Sequence, residues 1–225
     1  MGYKYETHMH SSEVSTCGIK TAKEQVRVYK QKGYTGIILT DHFVNGYTNC
    51  PRNSSWRDKM IFFASGYENA KKEGEKCGLD VFFGLEYTIL GSDFLTYGLD
   101  LDFLIAHPDI DKLPIEKYSE IVRQNGGFIA QAHPFREDPW VANPFPVHHS
   151  LLDAVEVFNT NMRDTWNEEA MEFADLHKLP KQAGSDSHGH SGRFISGVEL
   201  DKKADSIFDI INAIKNSEAK LILPM

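Results

Sequence analysis

Cysteine is scarce: Cys17, Cys50 and Cys77 are odd in number, widely spaced, and form no C-x-x-C pair. That pattern speaks against a disulfide framework and fits reduced thiols in the cytoplasm. Long apolar runs are also missing. No stretch approaches the roughly 20 residues that a membrane-crossing helix needs, so no membrane partner is expected. The opening Met-Gly-Tyr-Lys-Tyr-Glu has no apolar signal-peptide core and passes straight into a strand pattern. Positive charge is in deficit, with 24 Lys and Arg against 32 Asp and Glu and a net charge of −8. Binding along a phosphate backbone is dominated by Lys and Arg, so long nucleic acid is not the expected partner, although a local basic pocket is compatible with the balance. Internal repeats, low-complexity tracts and dividing linkers are absent, which leaves residues 1–225 to be read as one domain.

What is present is histidine, ten in all, several at the point where an apolar run turns polar. Residues Gly2 to Thr7 read as a short strand followed by His8-Met9-His10. In extended backbone, residues two apart point the same way, so His8 and His10 project into one space at the strand's end. An isolated H-x-H is more often two exposed polar residues; the rest of the chain decides otherwise. Thr35 to Thr40 is a continuous apolar run ending in Asp41-His42, Asp80 to Leu85 ends in Glu86, and Phe128 to Ala132 ends in His133. Lys181 to Gly184 ends in Ser185-Asp186-Ser187-His188. Such runs suit parallel strands buried on both faces.

Between the runs lie helix patterns at about Thr21–Gln31, Ser55–Lys76, Pro114–Asn125, Asp164–His177 and Ser206–Lys215. Thr21 and Glu24 have capping-box spacing, Asp164 is expected to cap its helix, and Gly33 and Gly78 are stop signals. Phe94–Tyr97 and Leu101–Ile105 are expected to be two strands, or a strand and a turn. Alternating strands and helices indicate an α/β fold with a parallel sheet. An open sheet binds its ligand at one switch point, whereas a barrel collects residues from the C-terminal ends of nearly all its strands. The polar residues follow the second pattern.

Histidine nitrogen and carboxylate oxygen are the usual ligands of zinc, manganese and iron. His8, His10, His42, Glu86, His133, Asp186 and His188 exceed the needs of one catalytic ion, which points to two or three divalent ions with a bridging carboxylate such as Glu86. Gathering these groups without cations would be costly to desolvate. Arg136 and Arg193 are candidates to grip phosphate, since a planar guanidinium matches its oxygens, and His190 is a candidate to protonate a leaving oxygen. Asp41 is read as orienting a ligand rather than touching metal.

The ordered set H-x-H, T-D-H, G-x-E, A-H-P and S-D-x-H, from Thr7 to His190, resembles the PHP (polymerase and histidinol phosphatase) family. The resemblance implies a distorted (βα)7-type, TIM-like barrel with the metal site at the C-terminal ends of the strands. It also implies a phosphoesterase acting on a small phosphorylated substrate with two or three zinc, manganese or iron ions. On this resemblance His8 and His10 bind a first ion with Glu86 and Asp186, Glu86 bridges to a second held by His133, and His42 and His188 hold a third. Family members often place another Asp or His soon after H-x-H; Glu13 is the nearest counterpart here. Asp93 and His107 are counterparts for a further ligand between the Glu and A-H-P motifs, although His107-Pro108-Asp109 reads as a surface turn. Rival readings are a metal-dependent hydrolase of another bond, such as an amide, and a non-catalytic metal-binding module.

Overall fold

The computed structural model describes residues 2–189 and 195–224. Among the described residues nine strands form one continuous sheet: β1 (Tyr3–Glu6), β2 (Gly36–Leu39), β3 (Asp80–Ile89), β4 (Ser92–Tyr97), β5 (Phe128–Gln131), β6 (Ala154–Asn159), β7 (Lys181–Gly184), β8 (Gly197–Leu200) and β9 (Lys220–Ile222). The spatial order is β7-β6-β5-β4-β3-β2-β1-β8-β9. Strands β1, β2 and β3 run parallel, as do β5, β6 and β7. Antiparallel β8 and β9 extend the sheet beyond β1.

The β7 edge of this sheet comes round to β1. Past Glu6 the first strand leaves β8 and pairs with the segment following β7: His10 N–H donates to Ser187 O at 2.9 Å and Ser187 N–H to His8 O at 3.1 Å. Thr7 Oγ1 donates to Ala183 O below them at 2.8 Å. The result is a nearly closed α/β barrel, as the strand tally predicts.

One part of the expectation needs correction. β4 runs against its neighbours rather than with them. Leu90 and Gly91, with φ of 51° and 83°, make a two-residue turn between β3 and β4, and so short a link allows only antiparallel pairing. The Leu101–Ile105 run is not a strand either. It lies in helix α3 (Leu101–Ala106), started by Asp100, whose Oδ1 accepts from Phe103 N–H at 2.8 Å.

The longer helices follow their sequence signals. α1 (Ala22–Gln31) has the Thr21–Glu24 capping box, and α2 (Trp56–Cys77) starts at Ser55 and stops at Gly78 with φ 72°. α4 spans Ile115–Gln124, α5 Asp164–His177 and α6 Ile207–Lys215. Arg163, not Asp164, holds the cap position of α5; Asp164 is the first helical residue, where its charge suits the helix N-terminus. Met60, Phe63 and Ala70 of α2 are buried, as its periodicity demands.

α6 closes one end of the barrel. Ile210, Ile211 and Ile214 pack with Tyr5, Ile38, Tyr97 and Phe128, and Ile211 and Phe208 lie against Gly98, just beyond the end of β4. Because β4 runs backwards, its last residues mark the N-terminal ends of the parallel strands. The opposite end is left open, and there the polar residues gather. Among the described residues no helix is long and apolar enough to cross a membrane.

Candidate metal centre

Every parallel strand expected to carry a candidate ligand carries it to this open end. His8 and His10 follow β1, His42 follows β2, His133 follows β5, and Asp186 and His188 follow β7. Glu86 lies inside β3 rather than at its end, because the strand runs on to Ile89 to pair with β4; a bridge from His42 to Glu86 continues the β2–β3 ladder to that point.

Their side chains converge on Glu86 and Asp186. Glu86 Oε1 lies 3.1 Å from His8 Nε2 and 3.5 Å from His133 Nε2, while its Oε2 lies 2.8 Å from His42 Nδ1 and 3.4 Å from His10 Nε2. Asp186 Oδ1 sits 3.2 Å from His10 Nε2, 3.5 Å from His8 Nε2 and 3.6 Å from His188 Nδ1. The rings of His42 and His188 flank His10 at 4.5 and 4.6 Å between centroids.

Crowding five imidazoles this way is unfavourable unless something binds them. Burial and the charge of His42 hold His10 down to about 3, so its ring is neutral with a lone pair available. Burial works to raise Glu86 and Asp186, but the surrounding histidines outweigh it, and both stay well below the usual carboxylate range. Glu86 Oε2 and His42 Nδ1 are buried and 2.8 Å apart, yet not aligned for a hydrogen bond. Buried polar atoms left in this state imply an absent partner, and a cation suits both. Four groups have ligand atoms within 4.8 Å of one another: His8, His10 and Glu86; His8, His133 and Asp186; His42, Glu86 and Asp93; and His10, Cys17, His42 and His188. The donors therefore fit divalent ions.

A supporting layer fixes the ring orientations. Glu156, on β6, takes His8 Nδ1 through Oε1 at 2.9 Å, and its Oε2 accepts from His133 N–H at 3.1 Å and Asn159 Nδ2 at 2.9 Å. With Nδ1 committed to Glu156, His8 aims Nε2 at the centre; burial disfavours the charged ring, but Glu156, Asp186 and Glu86 outweigh it and raise its pKa. Ser15 does the same for His10, meeting its Nδ1 at 3.1 Å while donating to Asp41 Oδ1 at 2.7 Å. Asp41 thus acts through Ser15 and Ser11 and touches no ligand atom, as expected; burial lifts it to about 6 against their bonds. Glu6 ties the two edges of the barrel together: Oε1 accepts from Thr7, His8 and Ser185 N–H at 2.8 to 3.0 Å, and Oε2 from Tyr29 Oη at 2.6 Å. His133 and Asp186 hold φ of 29° and 48°, uncommon for non-glycine residues and typical of functional sites.

Glu13 is a correction. Its Oε2 accepts from Ala22 N–H at 2.9 Å and its Oε1 from Asn69 Nδ2 at 3.3 Å, so it caps the start of α1 and stays out of the cluster. Two other residues lie at the cluster where Glu13 was expected. Cys17 reaches His42 and His188, whose hydrogen bonds lower its thiol despite partial burial. Asp93, on β4, stands by Glu86 and His42, lifted to about 6 by burial and by Glu86. His107 caps α3 and stacks on Phe103, the surface role foreseen for it. Glu156 was missed, although a lone carboxylate inside Ala-Val-Glu-Val-Phe was a visible signal, since buried charges need partners.

A cavity of about 770 Å³ opens above the cluster, with Arg136, Trp140, Arg163 and Trp166 in its wall. Arg136 is paired with Asp138 and lies over Trp140, 5.3 Å from its ring centre; Arg163 lies over Trp166 at 4.6 Å. His190 and Arg193 lie outside the described residues.

No family model and no curated protein matches the sequence. Solved structures do match its fold. A two-domain protein from Bacteroides vulgatus, containing a predicted PHP-like metal-dependent phosphoesterase, superposes with a TM-score of 0.75 at 17% identity. The alignment covers 99% of this chain but only 65% of that longer protein. A predicted metal-dependent phosphoesterase from Bifidobacterium adolescentis gives a TM-score of 0.59 at 16% identity, covering 94% of this chain and 95% of the other. An amidohydrolase from Chromobacterium violaceum, solved with sulfate and no metal, gives 0.57 at 14% identity over 99% and 98% of the two chains. At such identities the likeness establishes the barrel.

Proposed function

We propose that this chain is a metal-dependent hydrolase that cleaves a phosphate ester of a small molecule. The observation that carries the reading is a buried cluster of His8, His10, His42, Glu86, His133, Asp186 and His188 on the floor of a cavity walled by Arg136. Glu86 and Asp186 lie among most of the ligand nitrogens and would hold two or three zinc, manganese or iron ions together with the histidines. When bound, such ions act as Lewis acids toward the phosphoryl oxygens and make water nucleophilic near neutral pH.

The chain's own contribution is positioning. Glu156 and Ser15 hold Nδ1 of His8 and His10 and so aim Nε2 of each ring inward. Arg136, held by Asp138 and Trp140, offers a phosphate oxygen a charge-assisted hydrogen bond without first being ordered. The cavity accepts a sugar- or nucleoside-sized phosphate, and its concave form disfavours a long polymer. Two of the structural neighbours named above are predicted metal-dependent phosphoesterases, which supports the reading. The amidohydrolase neighbour supports a second one, amide hydrolysis by the same centre.

The deciding measurement is turnover of p-nitrophenyl phosphate and a phosphomonoester panel by the protein loaded with manganese or zinc. Phosphate release is expected, with Arg136→Ala raising KM by roughly tenfold, the lower end of what a hydrogen bond to a charged group is worth. Inert phosphoesters alongside cleaved amides would transfer the assignment to the second reading.

A further inference from the structure

The cluster is not chemically uniform. Around Glu86 and Asp186 the donors are carboxylate oxygens and imidazoles, the set that suits manganese as well as zinc or iron. One group is different: Cys17, His42 and His188, with His10 beside them, bring one thiol and three imidazoles within 4.8 Å of one another and no carboxylate among the four. We propose that Cys17 ligates a metal ion as its thiolate, with His42 and His188, and that this position selects zinc or ferrous iron over manganese.

Loop geometry supports the assignment. Ser15 to Gly18 is a tight turn, closed by Gly18 N–H to Ser15 O at 3.0 Å, and a Cβ on Gly18 would lie 2.5 Å from the Ser11 backbone. The chain therefore doubles back on the H-x-H segment at Gly18, setting Cys17 over the histidines. Ile19 N–H then donates to His188 O at 2.8 Å, locking the turn to the segment that carries His188. The second observation is at the same ring: His42 Nδ1 and Glu86 Oε2 are buried 2.8 Å apart without the alignment of a hydrogen bond, an arrangement that a cation between them would satisfy. Thiolate is a soft donor; it strengthens binding of zinc and ferrous iron far more than of hard manganese. Zinc at such a position is typically bound by Cys and His together.

The inference rests on the reading of the cluster as a metal centre, and cobalt separates the two. Metal-free protein is titrated with Co²⁺ while near-ultraviolet absorption and bound metal are recorded together. A thiolate-to-cobalt charge-transfer band is expected in wild type and in a Cys50→Ser/Cys77→Ser variant, and its loss in Cys17→Ser and Cys17→His. Cys17→Ser should also retain one equivalent of zinc fewer after dialysis, whereas Cys17→His regains that equivalent without the band. Cobalt bound by wild type with no such band, or a band that survives Cys17→Ser, overturns the role of Cys17 and leaves the metal centre standing. Failure to bind cobalt at all overturns both. Circular dichroism of each variant checks that the fold is intact, and a Cys17→His variant that folds but binds as wild type with the band would likewise refute the ligand.

Discussion

The two ends of the barrel are made by the same strands and could hardly differ more. At the end closed by α6, Tyr5, Ile38, Tyr97 and Phe128 meet Ile210, Ile211 and Ile214 with no charge among them. A few residues along, the same β1 and β2 lead to His8, His10 and His42, packed against buried carboxylates. Apolar burial needs only volume and lends the fold its stability, at about 25 cal/mol per Å². The polar end spends that stability: it holds like groups together, keeps two non-glycine residues at positive φ, and leaves buried atoms unpaired. The lesson is a division of labour along each strand rather than between domains.

The sharpest way to break the contrast is to remove a ligand at the open end. Asp186→Asn keeps a residue that tolerates φ 48° but withdraws a charge facing His8, His10 and His188. Hydrolysis should fall by about 10³-fold or more, matching the several kcal/mol of charge stabilisation a metal ion supplies, while the metal-free protein still unfolds in a single transition. Single-turnover kinetics and calorimetry measure the two halves of that statement.

At the closed end the reverse holds. Ile210→Ala should cost about 2–5 kcal/mol in urea unfolding, with metal stoichiometry unchanged. A loss of bound metal in this variant would mean that the ends are coupled more tightly than the packing suggests.

Glu6 sits between the two ends, and pH reads it. Burial pushes it up to about 7, above its unfolded value, even though Ser185, Tyr29 and His8 bond to it. The folded state then holds a proton that the unfolded chain has released, so stability declines as pH rises from about 4.5 to about 7. In metal-free protein that decline should be about 3 kcal/mol larger for wild type than for Glu6→Gln, whose amide oxygen still serves the three backbone donors. Parallel stability curves for the two proteins would show Glu6 ionised throughout. The smallest expected effect is that of Glu156→Gln, which unsettles His8 without removing a ligand; metal affinity should drop about 10–100-fold by competition titration.

The sequence discloses these features unevenly. His8, His10, His42, His133, Asp186 and His188 are legible because each stands where an apolar run stops, and strand ends map directly onto a barrel rim. Glu86 shows by the same logic even though its strand runs on. Cys17 is not legible, because its position depends on the path of a loop, and Asp93 could not be told from His107 without the direction of β4. Glu13 is nearer than Cys17 to H-x-H in the chain, but the turn at Gly18 reverses that order in space. The backward course of β4 hangs on two residues, Leu90 and Gly91, whose turn is easily lost in an apolar stretch. Helix boundaries fare better, since capping is local chemistry: Thr21, Ser55 and Gly78 each act where they stand.

The pairing of Met9 with Ser187 has a consequence for how the molecule holds shut. It joins the first barrel strand to the last, the most sequence-distant seam in the ring and the one with the greatest loop-closure cost. His8 and His10 stand on one lip of that seam and Asp186 and His188 on the other. Any cation shared between them is a rivet through both lips, so stripping the metal should loosen hydrogen-exchange protection first at His10 and Ser187, well before the strands farther round the ring respond.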